Sequence, residues 1–578
     1  MTDTAPPPPA PPAPAPPAEQ ALELADRYWD ALLELDPILA TQVGDQRFDD
    51  RLPDTSEEGV ARARAVHRAA LDESRTIDRS VLGESERTAL DVLEAIAHRN
   101  LEAIRMRTDR FAAVTHLWGP AQLLVAISVL QPAGTQQAVD RYVDRLAAFP
   151  SFLEGLADVG TRGLDEGISA PALVVDRAIG QMERLIAIPP DQSPGMTPVA
   201  NGTDEGRERV ADALRHVLWP AYGRYLEFLR AYRTRARDTI GLLALPDGEE
   251  RYAVEIVSYT TVPLDAEDVH RIGLEEMESI EQERRRIAEG LGFATADEAL
   301  AAHAESGADV PSSRDQLIHL AERHVRTGWE GARPVFGRMP SAECEVRMIE
   351  EFREGDTPLA YYQPPAGDGS RPGIYWVNTG DLAQRRLHAL ATVSFHEANP
   401  GHHFQFSVEQ EHADRPALRR FGGILLGSAF AEGWGLYAER LADELGLYED
   451  DHERLGMLSA QAWRAARLVV DTGIHALGWD RERAVDYLDR ATGGPRANTM
   501  VEIDRYIGWP GQALSYKIGQ REIERFRRDA ERLLGPEFDL RDFHDRLLTL
   551  GSLPLPALRR ELGVGAGSGG DARTATVP

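Results

Sequence analysis

The chain has 578 residues, 42% hydrophobic and 27% charged, a composition that excludes a disordered or fibrous protein and, by length alone, suggests about three or four domains. Its 94 acidic against 64 basic residues leave a formal net charge of −30, which excludes a nucleic-acid backbone as the main partner. No apolar run reaches the roughly 18 residues of a membrane span, and the single cysteine, Cys344, rules out an internal disulfide.

Residues 1–17 form an arm of mostly Pro and Ala. Such an arm cannot build a packed core and is expected to be disordered. It has neither a basic n-region nor an apolar h-region, so it does not read as a secretory leader, and a cytoplasmic location is expected. The body is expected to run over 18–562 as a single large helical domain, with two helical lobes around a cleft as a variant of that plan. The glycine-rich tail 563–578 is expected to be flexible.

Helical periodicity dominates the body. Leu22, Ala25, Trp29, Leu32 and Leu35 share one face of a first helix. Further helices are predicted around 57–80, 85–107, 135–158 and 169–186. The stretch 188–206, rich in Pro, Gly, Asn and Asp, reads as a loop. A long helix over 207–236 contains Pro220, which is expected to kink it. Tyr252–Val262 reads as a strand, a β-branched and aromatic run bounded by Asp247-Gly248 and Pro263. A highly charged helix with a solvated face follows over 264–289. Residues 343–377 alternate apolar and polar side chains across a Gly/Pro-rich turn and read as a small antiparallel sheet. Helix resumes after it and continues to Leu562. The expected fold class is therefore mainly α, a large helical body with a small antiparallel β-sheet beside the helix that carries His396.

The stretch Val393–Gln405, V-S-F-H-E-A-N-P-G-H-H-F-Q, places His396, Glu397, His402 and His403 within eight residues. Neutral imidazoles beside a carboxylate are the donor types of a hydrolytic zinc site, in which the carboxylate takes a proton from the activated water. The H-E-x-x-H pattern puts two histidines about 40° apart on one helix face. Here Pro400-Gly401 precede the second histidine. On an unbroken helix His403 would lie about 20° from His396, whereas a local bulge that absorbs two residues would return His402 to the site. His396 and His402 are therefore the expected ligands, with His403 as the alternative. A third ligand is required if one position is to stay open. Glu432, 30 residues beyond His402 in A-F-A-E-G-W-G-L-Y-A-E, is the best candidate, because that separation suits leaving one helix and returning along the next. Glu439, seven residues on, lies on the same face and would orient a ligand from behind. Nearly every basic residue is Arg, and the one lysine is Lys517, which points to a task that a planar guanidinium does not perform.

H-E-A-N-P-G-H-H, A-E-G-W-G-L-Y-A-E, V-V-D-T-G-I-H-A-L-G-W and D-R-Y-I-G-W-P-G-Q-A-L-S-Y-K-I-G together resemble the bacterial family called domain of unknown function 885, and the resemblance extends to D-P-I-L-A-T-Q-V-G-D near the start. It implies a helical, metallopeptidase-like body similar in broad plan to carboxypeptidase Taq, thimet oligopeptidase and angiotensin-converting enzyme, with a Glu from a neighbouring helix as third ligand. By the same likeness, His475 and a tyrosine, Tyr516 first and Tyr506 second, are expected to donate to the oxyanion. Arg505, Lys517, Gln512 and Arg467 are the expected substrate-binding residues, with Arg505 or Lys517 pairing with a substrate carboxylate.

The function expected from these residues is zinc-dependent hydrolysis of short peptides, with Glu397 as the base and a strand around 375–379 aligning the peptide edge-on. No membrane or nucleic-acid partner is expected. The alternatives are a metal-dependent hydrolase or lyase acting on a non-peptide amide, a non-catalytic binding protein, and a structural zinc closed by four protein ligands.

Overall fold

The computed structural model describes residues 15–351, 354, 359–365 and 371–564. The arm before residue 15 and the tail after residue 564 lie outside them. The body is mainly helical, with one small three-stranded sheet. Among the described residues no helix is long and apolar enough to cross a membrane.

The predicted helices form close to their expected bounds, as Pro17–Leu35, Glu57–Ser74, Glu84–Arg105, Gln136–Glu166 and Ala172–Ala187. Their ends follow local chemistry. Ser56 and Thr135 accept amide hydrogen bonds as N-caps, and Gly167 closes its helix in the left-handed conformation. The loop 188–206 carries two short 3-10 turns, Pro190–Gln192 and Pro194–Val199. The helix expected over 207–236 is two helices, Asp204–Ala213 and Trp219–Arg233, joined through a π-type turn at Leu214–Leu218. Pro220, which has no amide to offer, sits in the first turn of the second, where none is needed.

Two expectations change. Tyr252–Val262 is not a strand but part of the helix Gly248–Thr260. Its buried residues Tyr252, Ile256 and Thr260 recur every fourth position, so tertiary burial on a helical period overrides β-branched propensity. The sheet is mixed rather than antiparallel. β1 (Cys344–Met348) runs parallel to β3 (Gly373–Val377), and β2 (Ala360–Gln363) pairs antiparallel with β3, giving the order β1-β3-β2. β3, which contains Tyr375, is thus interior and has no free edge, while β2 is an edge strand.

Two large cores flank a deep cleft. One is built from Pro17–Leu35, Glu84–Arg105, Ala429–Glu444 and Ser515–Leu534. The other combines Gln136–Glu166, Ala172–Ala187, Trp219–Arg233 and the C-terminal half of Asp451–His475. The long helix Asp451–His475 packs against the charged helix Ala266–Leu291 and against Leu387–Glu397, the helix that carries His396. Cleft-lining residues come from both assemblies, among them Arg99 and Phe430 from the first and Leu488 and Thr499 from beside the second.

Candidate metal centre

The helix Leu387–Glu397 starts where Asp309 satisfies its first amides, accepting from Leu387 N through its carbonyl at 2.9 Å and from His388 N through Oδ1 at 3.0 Å. It ends at Glu397. A second helix, His402–Gln410, begins after a four-residue break. The expected bulge within one helix is therefore a break between two. The turn contains a cis Asn399–Pro400 bond, and its Gly401 backbone lies so close to the carbonyls of Phe395 and His396 that a Cβ would collide with them. Trp434, fully buried, clamps the turn by donating Nε1–H to Pro400 O at 3.0 Å and Gly401 O at 3.1 Å.

The break decides between the two histidines. His402 and His396 face one another, ring centroids 4.8 Å apart and nearly perpendicular. His403 points the other way. Its Nε2 donates to Ala342 O at 3.0 Å, its Nδ1 accepts from the Tyr362 hydroxyl at 2.8 Å, and burial pushes its pKa down to about 4. Both ring nitrogens are committed, so His403 is a structural histidine.

Glu432 lies in the first turn of the helix Ala429–Glu444. Its Oε2 is 3.4 Å from His396 Nε2 and 3.7 Å from His402 Nε2. Among the described residues these three form the one group of convergent metal-type donors, with the ligand atoms within 4.8 Å of one another. The spacings are too long for good hydrogen bonds. They are close to the roughly 3.3 Å that separates two donors each about 2.0–2.1 Å from a tetrahedral zinc ion. The donor set, two imidazoles and one carboxylate, fits a zinc site with an open fourth position.

Electrostatics agree with that fit. Burial disfavours a charged His396, yet the neighbouring carboxylates of Glu432 and Glu439 raise its pKa to about 9. Burial would likewise raise Glu432, but His396 and His402 hold it far below the carboxylate range. The site thus favours a cation among its ligands. Glu439 accepts from His396 Nδ1 at 2.8 Å, which directs Nε2 towards Glu432. Gln461 donates to Glu439 Oε2 at 2.8 Å, and Lys517 donates to Gln461 Oε1 at 2.7 Å and to Gln520 Oε1 at 2.7 Å. Gly435 lets this arrangement close, since a Cβ there would stand 2.5 Å from His396 Cε1.

Glu397 lines the cleft beside these groups. Its pKa is raised, first by burial and also by neighbouring Glu432, against the lowering effect of His396 and His402. The cleft has a volume of about 1210 Å³. Tyr516, Arg505, Gln512 and Arg467 also line it. Arg467 lies 4.3 Å from the Tyr516 ring centroid. Arg505 donates to Gln512 Oε1 at 2.7 Å and to Glu502 at 3.0 Å.

Three expected site residues lie elsewhere. His475 is fully buried, with Nδ1 accepting from Leu242 N at 3.3 Å and Nε2 donating to Tyr506 O at 3.0 Å. Burial takes its pKa down to about 3, so it fixes backbone and does not meet a substrate. Tyr506 donates to Glu502 at 2.8 Å and accepts from Arg467 Nε at 2.9 Å behind the cleft wall. Lys517, 1% exposed, faces the Gln461–Glu439 chain rather than the cleft. The family likeness that points to His475 and Tyr506, and the solitary lysine that points to Lys517, carry no information on which side of the cleft wall each side chain occupies. Gln461, Arg99 and Arg420 do not stand out from ordinary amphipathic sequence, and the strand of the expected sheet that lines the cleft is β2 rather than residues 375–379.

The family model described as "Bacterial protein of unknown function (DUF885)" matches residues 37–562. Among solved structures, a "putative lipoprotein" from Colwellia psychrerythraea is similar at 28% identity and TM-score 0.86, covering 95% of this chain and 99% of that chain. A "putative lipoprotein of unknown function" from Shewanella oneidensis shares the fold at 19% identity and TM-score 0.76, covering 93% and 99%. No curated protein matches. The expected cytoplasmic location is overturned by these two solved structures, both described as lipoproteins. That expectation rested only on the lack of a leader-like pattern in the first residues.

Proposed function

The chain belongs to the bacterial DUF885 family of proteins of unknown function, and from the site it carries we propose that it is a zinc-dependent peptidase acting on short peptides. The observation that carries this reading is the convergence of His396, His402 and Glu432 on one point of the cleft wall, with Glu397 beside them.

His396, His402 and Glu432 would hold the ion, which when bound supplies a Lewis acid for the carbonyl and lowers the pKa of water to about 7. Glu397, whose raised pKa brings it towards the working range of a general base, takes one proton from the attacking water and passes it to the leaving nitrogen. The C–N bond breaks, and the products are one carboxylate and one amine. Tyr516 lines the same stretch of cleft, and burial together with Glu432 raises its pKa. It therefore keeps its proton and donates to the carbonyl oxygen as charge develops there. β2 lines the cleft through Ala360, Tyr361 and Tyr362 and is an edge of its sheet, so it rather than interior β3 is the strand that a bound peptide would extend. Glu439 and Gln461 keep His396 oriented.

The test is metal content of the purified protein together with digestion of a mixed peptide library, before and after chelation and zinc add-back. Cleavage that needs zinc supports the reading. Absence of bound zinc, or cleavage indifferent to chelation, rejects it.

A further inference from the structure

The charge of the cleft is opposite to that of the molecule. The chain carries a net −30, and its arginines are commonly paired with carboxylates, as in Arg87 with Glu561, Arg177 with Asp504 and Arg546 with Glu84. Three cleft-lining arginines break that habit. Arg99, Arg420 and Arg464 all face the cavity, and among the described residues none of them reaches a carboxylate at ion-pairing distance.

Their contacts are of another kind. Arg99 donates to Leu425 O at 2.7 Å and lies 5.0 Å from the Tyr259 ring centroid. Arg420 lies 4.9 Å from the Phe421 ring, and its buried Nε has no partner. Arg464 donates to Ala460 O at 3.3 Å and lies 5.5 Å from the Trp463 ring, again with a buried, unpartnered Nε. A guanidinium whose face rests on an aromatic ring keeps its in-plane N–H donors for a further partner. The three come from different elements, Glu84–Arg105, Ala417–Phe421 and Asp451–His475, so their presence in one cleft is not an accident of one helix face.

The field of Arg464 reaches Glu397 and Glu439 and that of Arg99 reaches Glu255, but among the described residues no acid closes an ion pair with any of the three. Glu397 and Glu432 belong to the metal centre. Glu409 is enclosed by Ser552 and Gln405, and Glu502 is matched to Arg505. An unpaired, partly buried cation is costly unless a partner arrives, and a cleft with low-dielectric walls concentrates its field on an entering ion.

We propose that the cleft selects substrates bearing carboxylates, and that Arg99, Arg420 and Arg464 are the residues that read them. This rests on the peptidase reading and narrows its substrates to acidic peptides, whether the carboxylate is an Asp or Glu side chain or the peptide's own C-terminus.

The test uses the full-length, zinc-loaded protein and one peptide series. The residue flanking the cleaved bond is Glu, Gln or Lys, and each peptide is made with a free and an amidated carboxyl end. Peptides with the carboxylate that the arginines read are expected to show kcat/KM about tenfold or more above their uncharged twins, and the gap narrows as salt rises. Comparing free with amidated ends identifies which carboxylate is read. Arg464→Gln and Arg420→Gln are each expected to reduce the ratio. Equal kcat/KM across the series, or a ratio that neither variant moves, overturns the proposal. If no peptide is cut, the peptidase reading fails and binding decides instead. A fluorescein-labelled Glu-rich peptide is then expected to bind the Glu397→Gln protein about tenfold more tightly than its Gln counterpart, and equal binding overturns the proposal.

Discussion

His396 donates its Nδ1–H to Glu439 Oε1 at 2.8 Å, and that bond selects the tautomer in which Nε2 is the free donor atom facing Glu432. Glu439→Gln should keep the hydrogen-bond partner but remove the charge behind the imidazole. Zinc affinity is expected to fall by about 10–100-fold, read by competition with a chromophoric chelator. An unchanged affinity would mean that the ring is oriented by packing alone.

Gly435→Ala separates stability from metal binding. Alanine is about 1 kcal/mol better than glycine within a helix, but its Cβ would press on the His396 imidazole. The expected result is a folded protein with a native circular-dichroism spectrum and strongly weakened zinc binding. Normal zinc binding would show that the imidazole has room to move.

Glu397→Gln leaves every proposed ligand in place and removes the base. Zinc content is expected to match that of the unaltered protein while kcat drops by about 10²–10⁴-fold. Comparable turnover in this variant would remove Glu397 from the mechanism.

Lys517→Met keeps volume and loses the ammonium. It leaves Gln461 Oε1 and Gln520 Oε1, both buried, without their donor. A loss of about 1–3 kcal/mol is expected for such unsatisfied groups, seen as a lower urea midpoint. A midpoint equal to that of the unaltered protein would show that water reaches these amides.

Acid should unfold the protein through histidines that the fold keeps neutral. Burial pushes His475 and His544 each down to about 3. Between an unfolded value of about 6.5 and that level, the unfolded chain binds more protons, so stability falls as pH is lowered through this window. His544→Gln, which retains a donor for Val335 O and an acceptor for the Tyr437 hydroxyl, is expected to flatten the fall in a plot of denaturation midpoint against pH. A slope identical to that of the unaltered protein would assign the titration to other groups.

What could be read from sequence depended on how local the cause was. His396 and Glu397 are legible because donor types at short spacing are a local signal, Glu432 because its separation from His402 suits a return along the next helix, and the helical plan because its period repeats within one segment. The choice between His402 and His403 was open, since it turns on a four-residue break held from outside by Trp434. Tyr252–Thr260 misled because its residues favour strands while its burial follows a helical period. Tyr506 and Lys517 each follow a cleft-lining residue, Arg505 and Tyr516, and only the packed structure tells the two faces apart; His475 lies two turns beyond cleft-lining Arg467, in the buried end of its helix. Arg99 and Arg420 carry no sequence mark, because they line one cleft only once segments 321 positions apart in the chain have folded together.

The solitary lysine has one practical consequence. With Lys517 at 1% exposure, the folded body offers amine-directed reagents no lysine at its surface, and the first acylation of a side-chain amine must wait until the wall between Gln461 and Gln520 opens. Covalent labelling at this position is therefore a chemical clock for opening of the scaffold directly behind the metal centre.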